Sequence, residues 1–279
     1  MYVLIPAYQP DARLPRLILE LHRADPSTKI VVVDDGSGQK FSDIFEASAT
    51  AGAHVISYEH NRGKGYALRE GFTWIRDVAG DLSECVVTAD ADGQHTLNDI
   101  FRVGRRCTDT GKSVLGVREF VGHVPARSRI GNTATSALFW LATGWKLKDT
   151  QTGLRAFPVA LLPALLEVQG DRYEYELRVL LHLAKFRHPV TQIPIETIYE
   201  AGNPTSHFHP LQDSARIWAP LLKFAASSGV ATIIDYVLGL VLNALTGALF
   251  FPVIAARLVS ASVNFAMNRR VFEATGVPL

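Results

Sequence analysis

The sequence predicts an α/β domain built on a mostly parallel sheet flanked by helices, followed by a two-helix transmembrane hairpin. Three observations carry that prediction. Apolar runs of strand length recur at 2–5, 30–33, 54–58, 85–88 and 113–117. Helix-period segments at 14–23, 41–51, 65–75 and 97–107 lie between them, and such alternation builds βαβ units. Between Lys223 and Arg269 the charged residues are Asp235 and Arg257 alone, so the tail is a different kind of polypeptide.

Composition narrows the function classes. With 279 residues, 48% of them hydrophobic and 20% charged, the chain can bury a sizeable core and is not a disordered one. A net charge of +1 argues against a dedicated nucleic-acid binder, which carries a strong basic excess. Cys85 and Cys107 are too few for a disulfide scaffold or a Cys-rich metal site, which favours a reducing compartment. The run Met1-Tyr2-Val3-Leu4-Ile5-Pro6 has no basic region before it, and Pro6 leaves no room for a signal-peptide core. It reads as the first strand of a cytosolic domain.

The strands come first. Ile30-Val31-Val32-Val33 is apolar at every position, as suits a strand buried on both faces. In open α/β sheets the site forms outside the C-terminal ends of such strands. No internal repeat or low-complexity segment interrupts the pattern.

The tail allows two spanning schemes. The uncharged run 236–256 is long enough for a single span, which needs about 20 residues. Alternatively, 225–245 and 248–267 form two helices joined near Thr246-Gly247. Basic residues flank both ends, Arg216 and Lys223 before and Arg269 and Arg270 after. The positive-inside rule then puts both ends in the cytosol and favours the hairpin. Asp235 and Arg257 fall equally far from Thr246, so they reach similar depth and can pair. A buried hairpin of a soluble protein is the competing reading. The stretch 213–224, with Trp218, Leu221, Leu222 and Lys223, suits a helix lying at the bilayer surface or an amphipathic connector. The expected division is 1–212, 213–224 and 225–279.

Three strand ends carry chemistry. Asp90-Ala91-Asp92-Gly93-Gln94 follows the 85–88 strand, and two carboxylates one residue apart can share a hard divalent cation with substrate oxygens. Asp34-Asp35-Gly36-Ser37 ends the 30–33 strand; its acids can receive a nucleobase N–H or ribose hydroxyl, or cap a helix. Asn61-Arg62-Gly63-Lys64-Gly65 opens a helix, where the glycines, Lys64 and the helix N-terminus favour a phosphate. It has neither the P-loop spacing nor the dinucleotide fingerprint.

Taken in order, Ile5-Pro6-Ala7-Tyr8, the three motifs above and Asp149-Thr150-Gln151-Thr152-Gly153-Leu154-Arg155 resemble glycosyltransferase family 2, with its GT-A fold, over residues 1–215. Within it the chain resembles the polyprenyl-phosphate branch, typified by dolichol-phosphate mannosyltransferase and GtrB-type enzymes. The tail resembles the first half of a GtrA-like membrane domain. Such domains have four spans, and two fit here.

The resemblance implies roles. Pro6, Tyr8, Asp34, Asp35, Lys64, Asp90 and Ala91 would bind the nucleotide, with Pro6, Tyr8 and Asp35 lining the nucleoside pocket. Asp90, Asp92 and Gln94 would hold Mg2+ or Mn2+ on the donor diphosphate. Arg118, Arg127, Arg129 and Ser206 would take the acceptor phosphate, and Asp92, Arg118, Arg129 and Asp149 the catalytic roles. Gln9-Pro10 replaces the Asn-Glu of many members, so the acidic nucleotide contact is missing or supplied elsewhere. Glu174 and Glu176 sit at a helix start, as ligands or as favourable helix-end charges.

The expected activity is inverting transfer of a hexose from a UDP- or GDP-sugar to polyprenyl phosphate, by an inner-membrane protein with a cytoplasmic catalytic domain. The bilayer, a homo-oligomeric copy and a flippase-type protein are the further partners considered, and nucleic acid is not one. A phosphate acceptor is already anionic near neutral pH and needs no protein base, whereas a hydroxyl acceptor does. Transfer to a glycan hydroxyl with Asp149 as base, and an inactive membrane scaffold, are the competing functions. His207 and His209, without acidic companions, are weak metal ligands.

Overall fold

In the computed structural model, residues 1–118, 126–196, 210–248 and 250–273 are described, with side chains given outside 126–130, 210–225 and 268–273. The elements run β1 (Tyr2–Ala7), α1 (Arg13–Ala24), β2 (Lys29–Asp34), α2 (Ser42–Thr50), β3 (Ala53–Ser57), α3 (Lys64–Val78), β4 (Cys85–Thr88), α4 (Leu97–Thr110) and β5 (Ser113–Arg118). They continue with α5 (Ala126–Thr143), β6 (Arg155–Pro158), α6 (Leu162–Leu166), α7 (Glu174–Lys185) and β7 (Val190–Ile195). Each expected strand and helix of the first 118 residues falls on an observed one.

The sheet has seven strands in the order β3-β2-β1-β4-β6-β5-β7. β1, β2, β3 and β4 are mutually parallel, and β5 and β7 pair in parallel. β6 runs against both its neighbours, β4 and β5. Sequence periodicity gave no hint of β6, a four-residue strand that begins with Arg155 and ends with Pro158.

The core follows the apolar pattern. Val3, Leu4, Ile5, Val31, Val32, Val33, Val86 and Val87 are fully buried in the centre of the sheet. α1 lays Leu14, Leu17, Ile18 and Leu21 against it, the spacing of one helical face. α4 starts at a capping residue: the Thr96 hydroxyl accepts from the Asp99 backbone N–H at 3.1 Å.

Residues Met1–Asp213 and Ser214–Leu279 form two compact units. α8 (Pro210–Thr246) and α9 (Phe250–Glu273) make up the tail. The stretch 213–224 is therefore part of one long helix with the apolar run that follows. Within α8 and α9, Ala226–Thr246 and Phe250–Met267 have the length and composition to cross a membrane. At about 1.5 Å per residue, the first of these is about 30 Å long, the thickness of a hydrocarbon core.

The two helices meet along small residues. Ser227 and Ala231 of α8 are buried, as are Ala256 and Ser260 of α9, and a Cβ on Gly239 would lie 3.8 Å from that of Ala256. The expected pair forms: Arg257 Nη1 lies 3.1 Å from Asp235 Oδ2, and the Ser260 hydroxyl donates to Asp235 Oδ1 at 3.2 Å. Large apolar side chains point outward instead, among them Ile233, Tyr236, Leu245, Phe250, Leu258 and Phe265. A soluble buried hairpin would hide these side chains.

Leu4→Ala tests the core of the first unit. Leu4 is fully buried, so the truncation should cost about 2–5 kcal/mol and lower the melting temperature of the purified chain. An unchanged melting temperature would contradict this packing.

Candidate active site

Topology decides which side chains meet. The loops after the parallel strands β1, β2, β3 and β4 open on one edge of the sheet. Because β6 is reversed, the loop before it, residues 149–154, opens on that same edge. Five of the sequence motifs are thereby collected at one place.

Asp35, at the end of β2, is buried. Its carboxylate accepts from the Tyr58 hydroxyl at 2.8 Å, Asn61 Nδ2 at 3.0 Å, Arg62 N at 2.7 Å and Gly63 N at 2.8 Å. Burial pushes its carboxyl up while these donors pull it down, and burial prevails. Asp35 thereby ties the end of β2 to the loop that leads into α3. Asp34 accepts from Ser37 N at 2.8 Å, and the Ser37 hydroxyl accepts from Gln9 N at 2.8 Å. The turn needs Gly36, with φ of 68°, because a Cβ would run into the backbone of His60 and Asn61. Tyr8, beside this turn, accepts from Gln9 Nε2 at 3.2 Å, and Pro6 lies in β1 opposite Val33.

Lys64, the first residue of α3, is held between two acids. Its Nζ lies 2.7 Å from Asp90 Oδ1 and 3.1 Å from Glu176 of α7. Burial works to lower its pKa, but the two carboxylates outweigh burial and raise it. Asp90 Oδ2 also faces His95 Nε2 at 3.3 Å. Burial alone would raise the Asp90 carboxyl; Lys64 and His95 together hold it well below the usual range. Asp92 moves the other way, pushed up by burial and by the charge on Asp90. Its Oδ1 accepts from Gln94 N at 3.0 Å, which folds the Asp90–Gln94 loop into a tight turn. Ala91 and Gln94 lie partly exposed in that loop.

The 149–154 loop is pressed against Asp90. The Thr88 hydroxyl donates to Gly153 O at 2.8 Å, and a Cβ on Gly153 would strike the Asp90 carboxylate. Arg155 is buried and donates to Thr152 O at 2.9 Å, Thr150 O at 3.1 Å and Glu176 O at 2.6 Å. It joins the loop to the start of α7, whose Glu176 holds Lys64. Asn132 of α5 holds the other side, donating to Lys148 O at 2.8 Å and accepting from Thr150 N at 3.2 Å.

Asp149 is completely buried. Arg118, at the end of β5, grips it with Nε at 2.6 Å and Nη2 at 3.0 Å, a two-pronged pair. Gln151 N donates to the same carboxylate at 3.0 Å. Arg127 and Arg129 lie in the first turn of α5, and their side chains fall outside the described ones. Ser206, His207 and His209 fall outside the described residues altogether.

The arrangement suits charge stabilisation more than proton transfer. Asp90, Asp92 and Gln94 are hard oxygen donors of the kind that a divalent cation takes, and burial together with the Asp90 charge raises the Asp92 carboxyl. Residues 2–163 match the model of Glycosyl transferase family 2. The chain belongs to glycosyl transferase family 2.

This transferase is 30% identical over 222 residues to the UDP-N-acetylglucosamine–dolichyl-phosphate N-acetylglucosaminyltransferase of Methanococcus voltae, covering 71% of this chain and 86% of that one. It is 26% identical over 200 residues to the undecaprenyl-phosphate mannosyltransferase of Micrococcus luteus, covering 69% and 81%. Among solved structures it resembles glucosyl-3-phosphoglycerate synthase from Mycobacterium tuberculosis, in complex with Mn2+, uridine diphosphate and glucosyl-3-phosphoglycerate. There the TM-score is 0.56 at 17% identity, covering 80% of this chain and 77% of that one. The likeness is one of fold, and the sheet is the GT-A arrangement that the motifs implied.

Several residues of the site escaped sequence reasoning. Glu176 was visible as a helix-start acid, but its partner Lys64 lies 112 positions away. Arg155 and Asn132 make contacts mainly to backbone carbonyls and amides, which leave no pattern in the sequence. His95 stood beside the acid pair without a reason to face it.

Removing the Lys64 ammonium should separate these charges. The depressed Asp90 carboxyl contributes stability that is fully present above its ordinary value of 3.8 and is lost as the pH falls below it. In Lys64→Met the transferase should therefore be less stable at pH 7 in EDTA, and should lose less of its remaining stability below pH 3.8. Parallel acid-unfolding curves for parent and variant would contradict this placement.

Proposed function

We propose that this transferase moves a hexose from a UDP- or GDP-sugar to polyprenyl phosphate at the cytosolic face of the cell membrane, inverting the anomeric centre. The relatives from Methanococcus voltae and Micrococcus luteus take their names from dolichyl phosphate and undecaprenyl phosphate. One observation carries the choice of acceptor. Asp149, the candidate base for a hydroxyl acceptor, is fully buried and clamped by the Arg118 guanidinium. A carboxylate so buried, with both oxygens taken by donors of the chain itself, presents nothing to an incoming hydroxyl. An acceptor phosphate, with its second pKa of about 6, arrives as an anion and asks for placement only.

In this reading Asp149 positions Arg118, and Arg118, Arg127, Arg129 and Ser206 receive the acceptor phosphate. Pro6 and Tyr8 border the nucleoside, while Asp34 and Asp35 build the turn and loop beneath it. Asp90, Asp92 and Gln94 would hold Mg2+ or Mn2+, which when bound would neutralise charge on the leaving diphosphate. Lys64 keeps Asp90 ionised and oriented toward that role. The acceptor oxygen attacks the anomeric carbon opposite the leaving group, so one displacement inverts the centre. The apolar spans of α8 and α9 would keep this chemistry beside its lipid substrate, and the flanking basic residues favour both ends in the cytosol.

Transfer from a panel of radiolabelled nucleotide sugars to undecaprenyl phosphate, in membranes with and without EDTA, tests this directly. The expected product is organic-extractable, labile to mild acid and absent in EDTA. Asp92→Asn should fold normally and lower transfer by about 10²–10³-fold, the scale for losing one main electrostatic stabiliser. Label appearing only in water-soluble glycan would replace the lipid acceptor with a hydroxyl one. No turnover with any donor would favour a scaffold.

Arg118→Lys separates placement from folding. A lysine cannot reproduce the two-pronged grip on Asp149, so the KM for lipid phosphate should rise by about tenfold or more, with the donor KM little changed. Equal effects on both substrates would argue against an acceptor role.

A further inference from the structure

The Asp235–Arg257 pair is only half enclosed by the hairpin that contains it. Asp235 has 22% of its side chain exposed, and Arg257 has 74%. Arg257 stands seven residues into the Phe250–Met267 span and Asp235 lies in the middle of Ala226–Thr246, so both sit deep along the apolar helices. A guanidinium exposed at that depth is costly in hydrocarbon, and such groups face protein or a water-filled cavity. A second protein surface laid against this side of α9 would meet that need.

The surface around it is self-complementary. Arg257 Nη1 meets Asp235 Oδ2, while Asp235 Oδ1 receives the Ser260 hydroxyl. A guanidinium carries five N–H donors and each carboxylate oxygen two lone pairs, so both partners have capacity beyond their mutual contact. They sit at equal depth, each eleven positions from Thr246. A second hairpin in the same orientation therefore presents its carboxylate at the height of the first one's guanidinium, with no vertical offset. Val253, Ile254 and Ala261 share the Arg257 side of α9 and are exposed, with the small Ala261 one turn away permitting close approach.

We propose that the hairpin pairs with a second copy of this chain, the Arg257 of each copy reaching the Asp235 of the other to close a neutral ring of two acids and two guanidiniums inside the membrane. The interface is isologous, and its two-fold symmetry closes it at a dimer. A different membrane protein bearing one acid would satisfy Arg257 but leave the Asp235 carboxylate half used; a second copy uses both. The inference rests on the spanning reading of α8 and α9 and is independent of which sugar or acceptor is used.

The test uses the full chain in its native membranes, where resistance to alkaline carbonate extraction first checks that the helices span. Ala261→Cys, on the Arg257 side, is then oxidised with copper phenanthroline; Cys85 and Cys107 are buried and do not compete. Disulfide-linked dimer is expected, at least tenfold more than from Val259→Cys on the opposite flank of α9. Adding Asp235→Arg to Ala261→Cys should abolish the cross-link, and adding Arg257→Asp as well should restore it. A carbonate-resistant chain that gives no Ala261→Cys dimer, cross-links equally from both flanks, or cross-links to a different protein would overturn the proposal. So would release by carbonate, which removes the spanning reading on which it stands.

Discussion

The buried ammonium of Lys64 is the contact on which the rest of the site depends. Asp90 and Glu176 approach it from different parts of the chain, 2.7 and 3.1 Å away. Without it, two carboxylates would face each other in a partly buried place, and one would take up a proton. With it, Asp90 stays ionised and oriented before any ligand arrives. Each neighbour then serves to keep Lys64 where it is. Asp35 fixes the loop that leads into α3, and Arg155 fixes the start of α7 beside Glu176.

That arrangement divides the acids of the edge into two kinds. Asp35 and Asp149 are fully engaged by donors of the protein itself, and they hold loops in place. Asp90 and Asp92 form a like-charged pair whose environments push their carboxyls in opposite directions, one down and one up. Carboxyls whose environments push them apart in this way gather at functional sites. A family 2 transferase using a phosphate acceptor needs this kind of electrostatic placement and can do without a general base.

The tail repeats the same physics on two helices apolar enough to cross a membrane. Asp235 and Arg257 are each tolerable in an apolar span because they pair, and Ser260 adds a hydrogen bond to the acid. The helices approach at Gly239 and Ala256, with the small Ser260 beside Asp235, which leaves room for the charges to meet. Packing between small residues thus makes the ion pair possible. The incompletely covered guanidinium is then the feature that points beyond a single hairpin.

Much of this was legible in one dimension. The strands from β1 to β5 announce themselves by apolar runs, because a strand buried on both faces has little freedom in composition. The acid pair after β4 and the uncharged tail are likewise local signals, and equal spacing from Thr246 foretold the Asp235–Arg257 contact. Tertiary structure alone decided what those acids touch. It reversed β6, so that a loop 60 residues after Asp90 packs Gly153 against it, and it brought Glu176 to Lys64. It also decided that Asp35 accepts from the amides of Arg62 and Gly63. Periodicity reports which face of an element is buried, because burial acts on each element separately. A hydrogen bond or ion pair joins two elements whose separation in sequence is arbitrary, so only the folded chain determines which donor an acid receives.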